Sequence, residues 1–155
     1  WYPRFRFAEA LLIAAEAAYE LGGVNKVKAV EYINRVRARG GIKELTESTI
    51  TFEHIVNEYR VEFAFEDHRW WDLKRWRLAH TVWNGVIDSP TAQMYSLFPY
   101  KVYAPGSPYD GKWAFEKSRS YMAPNARNFT MRCYYGSIDD GWINKNPKLV
   151  KNPLQ

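Results

Sequence analysis

The chain has 155 residues, 46% apolar and 25% charged, enough for one compact domain with a core of its own and too apolar for a disordered segment. Its formal charge is +5, but Lys and Arg interleave with Glu and Asp up to His80 and the surplus is scattered after residue 100, so no nucleic-acid footprint is expected. One cysteine, Cys133, excludes an internal disulfide, and three histidines (His54, His68, His80) without ligand spacing leave no metal or other cofactor to expect.

From about Arg4 to Leu21 apolar positions recur with a helical period, with Phe7, Leu11, Ala14, Ala15 and Ala18 on one stripe and Glu9, Glu16 and Glu20 outside it. Gly22 and Gly23 supply a left-handed stop. Asn25 is placed to cap a second helix that runs to about Arg39, with Val30, Ile33 and Val36 inward and Lys26, Lys28, Arg35, Arg37 and Arg39 largely outward. Gly40 and Gly41 end it. So short a turn forces the two helices to pack antiparallel, as a hairpin of the tetratricopeptide kind. One such unit leaves an apolar face uncovered, so further helices are expected to stack on it.

A polar loop follows, and Thr51 can cap a third helix reaching about Asp67. Its buried face would carry Phe52, Ile55, Val56, Tyr59 and Phe63, and Glu53 suits its positive end. A fourth helix is expected from about Arg69 to Trp83. Glu58, Glu62 and Glu66 recur every four residues, and Arg69, Asp72 and Arg75 every three, giving an acidic stripe on the third helix and a mixed one on the fourth. Bidentate carboxylate–guanidinium pairs between those stripes would clamp the two helices in register. The chemical alternative is a pair of acids for glycoside hydrolysis, which needs one carboxyl with a raised pKa. Carboxylates among so many arginines should have lowered ones. Trp70, Trp71 and Trp76 at helical spacing read as core, His68 and His80 as capping or packing residues, and Cys133 as a buried, inert thiol.

From Asn84 the periodicity fails. Pro90, Pro99, Pro105, Gly106, Pro108, Gly111 and Pro124 punctuate an aromatic-rich stretch that reads as loop with short strands or turns. Loops of that length bind something or wrap other structure. With seven Trp and eleven Tyr in the chain, rings in this part can anchor loops or form platforms for ligands. No apolar run approaches the roughly 20 residues that cross a bilayer.

Four stretches carry a resemblance to a known family. The run EYRVEFAFEDHRWWDLKRW over 58–76 resembles the signature of SusD/RagB outer-membrane lipoproteins, a Glu/Arg-rich helix leading into E-G-H-R-W-x-D-L-x-R-W. RFAEALLIAAEA over 6–17, NRVRARGG over 34–41 and INKNPKLVKNP over 143–153 look like three further motifs of the same family, in the same order. Asp67 stands where the family usually has Gly, Tyr59 interrupts a common Glu-Arg pair, and Lys151 and Leu154 replace the usual Gln and Gly. Residues 84–140 match no family motif.

The resemblance implies a mainly α fold of tetratricopeptide-like helical hairpins with an irregular, loop-rich C-terminal part. Residues 1–83 would form the helical part and 84–155 the irregular part packed on it, within one domain. It also implies a non-catalytic protein, held at the cell surface by a lipid on the outer membrane, that binds oligosaccharides or other nutrients and works with a TonB-dependent (SusC-like) transporter. The chain opens at Trp1-Tyr2-Pro3 with no initiator Met, and is expected to be the C-terminal portion of a longer protein whose anchor lies outside it. Glu58, Glu62, Glu66, Arg69, Asp72 and Arg75 would then be structural. Candidate ligand contacts are the loop aromatics Tyr100, Tyr103, Tyr109, Trp113, Tyr134, Tyr135 and Trp142, which combine flat apolar faces with nearby polar groups. The alternative is a scaffold that serves only protein–protein docking, with the sugar sites elsewhere in the longer protein.

Overall fold

A computed structural model describes residues 5–154, so the opening Trp1-Tyr2-Pro3 and the expected helix start at Arg4 lie outside the described residues. The chain divides into two compact units, one ending at Asp72 and the other beginning at Leu73.

In the first unit, α1 (Phe7–Leu21) buries Leu11, Leu12, Ala15 and Ala18. Leu12 occupies the centre of the stripe, whereas Phe7, expected inside, is exposed beneath the Arg35 guanidinium at 5.3 Å. At the first turn of a helix a side chain that points back toward the N-terminus runs past the end of the packed face. Gly22 ends α1 with φ 65°. A single 3-10 turn (Gly23–Asn25) leads into α2 (Lys26–Arg39). Asn25 occupies the cap position without capping: its backbone is helical and its side chain makes no cap hydrogen bond. Ala29, Ile33 and Val36 face α1, and the two helices form the antiparallel hairpin. The Asn34 amide then exchanges two 2.9 Å hydrogen bonds with the backbone of Leu45, holding the following loop against α2.

Thr51 caps α3 (Phe52–Glu62) as expected, but in an unusual box. Its hydroxyl accepts from the His54 backbone while the His54 ring accepts from the Thr51 backbone, so His fills the place usually taken by Glu. Ile55 and Tyr59 are buried, and α3 packs against α1. The helix stops at Glu62, five residues before its expected end, because Phe65 and Asp67 both adopt left-handed backbone, at φ 67° and 61°. Two such residues cannot continue a right-handed helix.

The expected fourth helix is broken in two. α4 (His68–Arg75) and α5 (Ala79–Val82) are separated by a turn in which Arg77 has φ 59°. Trp70 and Trp71, expected in the core, are substantially exposed. The core of the second unit is small and aromatic: Leu73, Ala79, Trp83 and Phe129, with Leu78, Val82 and Tyr134 against it. Residues beyond Asn84 are tied to it by backbone. Phe129 donates to the Trp83 carbonyl at 2.7 Å and Gly85 to that of Arg127 at 2.9 Å. At Gly85 φ is 75° and a Cβ would lie 3.0 Å from the Asn128 side chain, so glycine is required there.

The short strands anticipated in the irregular part form one antiparallel ribbon, β1 (Tyr95–Lys101) and β2 (Trp113–Arg119). A last helix, α6 (Asp140–Lys145), capped by the Asp139 carboxylate accepting from the Gly141 backbone, was not anticipated. Cys133, expected buried, is exposed beside Thr130 on a 3-10 turn (Met131–Tyr134).

Candidate functional site

The acidic stripe of α3 is bound by arginines, though not those of α4. Arg37 of α2 donates to Glu58 at 2.6 Å, both side chains being almost wholly buried. Arg6 forks onto Glu66, with Nε at 2.8 Å from Oε2 and Nη2 at 2.8 Å from Oε1, and reaches Glu62 at 2.9 Å. Arg39 meets Glu62 from the other side at 2.6 Å. The hydrogen bond to Glu66 raises the Arg6 pKa beyond its ordinary value; burial opposes it, and Glu62 adds to the rise. Arg37 thus turns inward toward α3, where an outward face was expected, while Arg39 stays largely exposed as it reaches Glu62. The stripe joins α3 to α2 and to the residue preceding α1.

The mixed stripe behaves differently. Burial, and then the neighbouring Arg60, lower the pKa of Arg69, while Asp72 opposes them. Arg75 lies over the Trp76 ring at 4.4 Å. Glu58 and Glu62 of α3, and Glu66 beyond its end, are all engaged by guanidinium groups. No cluster of His, Cys, Asp or Glu able to hold a metal occurs among the described residues.

The seven candidate aromatics do not gather at one place. Tyr134 is an anchor: its ring packs edge-on against Phe129 and its hydroxyl bonds to His80 at 2.7 Å. Arg77 lies over both the Tyr134 and Tyr135 rings, at 4.4 and 5.0 Å, and donates to the Tyr135 hydroxyl. Trp142 stands exposed on α6. The remaining four belong to the ribbon and its connection.

Cross-strand register sorts them. Lys101 faces Trp113, Pro99 faces Phe115, Leu97 faces Lys117 and Tyr95 faces Arg119, so these pairs share one side of the ribbon. Tyr100 pairs with Ala114 and Phe98 with Glu116 on the other side. Tyr100 and Trp113, both candidate ligand contacts, therefore point to opposite faces. Tyr103 and Tyr109 are exposed in the connecting loop, where Lys112 lies over the Tyr109 ring at 5.5 Å and Asp110 accepts from the Ala104 backbone.

The first face holds an exposed apolar strip that sequence reasoning missed. Leu97 is 66% exposed, Trp113 64% and Phe115 63%, contiguous across three rungs. The signal was period-2 alternation in Tyr95, Leu97, Pro99 and in Trp113, Phe115, hidden because the opposite face also carries rings, at Phe98 and Tyr100. A two-stranded ribbon is marginal in water without support. Here the base is braced by Asp88, which accepts from the Tyr95 hydroxyl at 2.7 Å and pairs with Arg119 at 3.1 Å. Those two bonds, Tyr95 first, hold the Asp88 carboxyl below the ordinary aspartate range, and the bond to Asp88 pushes the Tyr95 phenol up. Lys117 sits 3.9 Å from the centre of the Tyr95 ring.

Comparison with known proteins adds the family context. The SusD family profile matches residues 1–154. SusD-like protein P2 of Formosa agariphila is 37% identical over 101 residues, covering 57% of this chain and 20% of that protein. Starch-binding protein SusD of Bacteroides thetaiotaomicron is 33% identical over 107 residues, covering 64% of this chain and 18% of that one. Among solved structures, a SusD superfamily protein from Bacteroides vulgatus superposes with a TM-score of 0.58 at 22% identity, covering 99% of this chain and 28% of that one. Surface glycan-binding protein A from Bacteroides uniformis gives 0.55 at 26%, covering 97% and 27%. The chain thus spans about a fifth of the length of these curated relatives and just over a quarter of the solved chains.

Proposed function

Because the chain belongs to the SusD family, we propose that it serves a surface protein that binds oligosaccharides and presents them to a TonB-dependent outer-membrane transporter, without catalysing their cleavage. The exposed strip at Leu97, Trp113 and Phe115 carries the reading for this chain. A flat apolar surface suits the C–H side of a pyranose, and the polar groups along its edge suit the hydroxyls. Two relatives point the same way, one named starch-binding and the other surface glycan-binding. The arginine-bound glutamates fit a scaffold better than an acid–base pair, which supports binding over hydrolysis. No helix among the described residues is long and apolar enough to cross a membrane. Attachment to the outer membrane would come through a lipid carried outside this stretch.

Isothermal titration of the chain with a panel of oligosaccharides tests the reading. Trp113→Ala should weaken binding of whichever sugar binds by roughly tenfold, the loss of one stacked ring at about 1.4 kcal/mol. Tyr134→Ala should instead lower the melting temperature, because that ring belongs to the core. Failure of every sugar to bind would leave this chain a docking scaffold only.

A further inference from the structure

The aromatic strip is flanked by cations with a regular placement. On the same face as Leu97, Trp113 and Phe115 the register puts Lys101 at one end and Lys117 and Arg119 toward the other. Four rungs two residues apart span roughly 20 Å. Arg119 is matched by Asp88, whereas Lys101 has no ion-pair partner among the described residues and Lys117 contacts only the Tyr95 ring and the more distant Asp88 charge. The single acid of the two strands, Glu116, lies opposite Phe98 on the other face. The strip therefore presents rings between net positive ends.

We propose that this face of the ribbon takes an anionic oligosaccharide, one bearing uronate carboxylates or sulfate esters, with Trp113 and Phe115 under the sugar rings and Lys101 and Lys117 on the charged groups. The proposal rests on the oligosaccharide reading above and adds the ligand's charge. Exposed lysines act as mobile point charges, so they select for negative charge without fixing one geometry. A neutral glycan would leave both ammonium groups beside its hydroxyls with nothing to neutralise. Carboxylate and sulfate share the chemistry, and separate probes tell them apart.

The test is calorimetric titration of the chain with oligogalacturonate, a carrageenan-derived sulfated oligosaccharide and maltoheptaose, at low and moderate salt, with oligo-dT as a non-sugar polyanion. At low salt one or both anionic sugars should bind roughly fivefold or more tighter than maltoheptaose, the effect two exposed ion pairs supply. The advantage should shrink as salt shortens the screening distance. Lys101→Gln with Lys117→Gln should bring the ratio of anionic to neutral affinity toward one. Lys28→Gln with Lys43→Gln, which removes equal charge from the first unit, should not. Lys101→Gln alone, which breaks no ion pair among the described residues, should move the ratio in the same direction, and circular dichroism reports whether each variant is folded.

Equal affinity for anionic and neutral sugars would overturn the proposal and leave the glycan reading intact. So would an anionic preference that survives the Lys101 and Lys117 changes. Binding of no sugar would sink both. Tighter, lysine-dependent binding of oligo-dT than of either anionic sugar would overturn it in favour of a single-stranded nucleic-acid surface.

Discussion

Glu58 and Arg37 show how much rests on single side chains. Their 2.6 Å contact removes two charges from water almost completely, and Arg37 also donates to the Lys43 carbonyl, tying three segments at one point. Truncating one partner leaves the other charge enclosed without compensation. Glu58→Ala should destabilise the chain by about 2–3 kcal/mol, read as a lower urea midpoint at unchanged slope. A double change to Arg37→Met and Glu58→Leu should recover much of that loss, since neither charge then remains. The alignment of Glu58 with Glu62 was legible because helical geometry fixes which residues align, whereas Glu66 lies past the end of α3 and still meets the same Arg6. Their partners were not legible. An arginine reaches far enough to answer from several elements, and Arg6, lying before α1, gave no periodic sign of its role. Asp67 is clearer in retrospect: glycine is usual at that family position, and the left-handed φ of 61° there is the conformation glycine adopts at least cost.

Among the elements, the hairpin of α1 and α2 was readable because amphipathic spacing and paired glycines marked both helices and their turn. The end of α3 and the break between α4 and α5 were not, since Phe65 and Arg77 look like ordinary helical residues and only tertiary context places them at positive φ. The ribbon was hidden for a different reason: with rings on both sides, alternation carries little contrast. Its base offers a direct measurement. Asp88 titrates below the usual aspartate range in the folded chain, so its bonds to Tyr95 and Arg119 are intact above the unfolded aspartate pKa and are lost as pH falls through the lower folded value. An NMR titration should place the Asp88 carboxyl midpoint below the ordinary aspartate range, and Tyr95→Phe should move it back up. An unmoved midpoint would mean that the Tyr95 hydroxyl does not hold the carboxylate.

For the molecule as a whole, composition limited the chemistry well and located little of it. One thiol, few histidines and interleaved charge directed attention to surfaces, while the exposure of Cys133 on a 3-10 turn lay beyond any pattern in the chain. The chain should take up one equivalent of iodoacetamide without unfolding. Hydrogen bonding from Thr130 lowers the Cys133 pKa, so the rate should rise at lower pH than for a free thiol, and Thr130→Ala should shift the profile upward. The connection between the strands has a consequence of another kind. Its neck is closed by backbone bonds from Val102 to the Lys112 carbonyl and from Gly111 to that of Val102, below every residue of the tip. Those closing bonds are made by backbone alone and call on no side chain of the tip. Exchanging residues 103–110 for another sequence should therefore leave the ribbon folded, an outcome that circular dichroism would check.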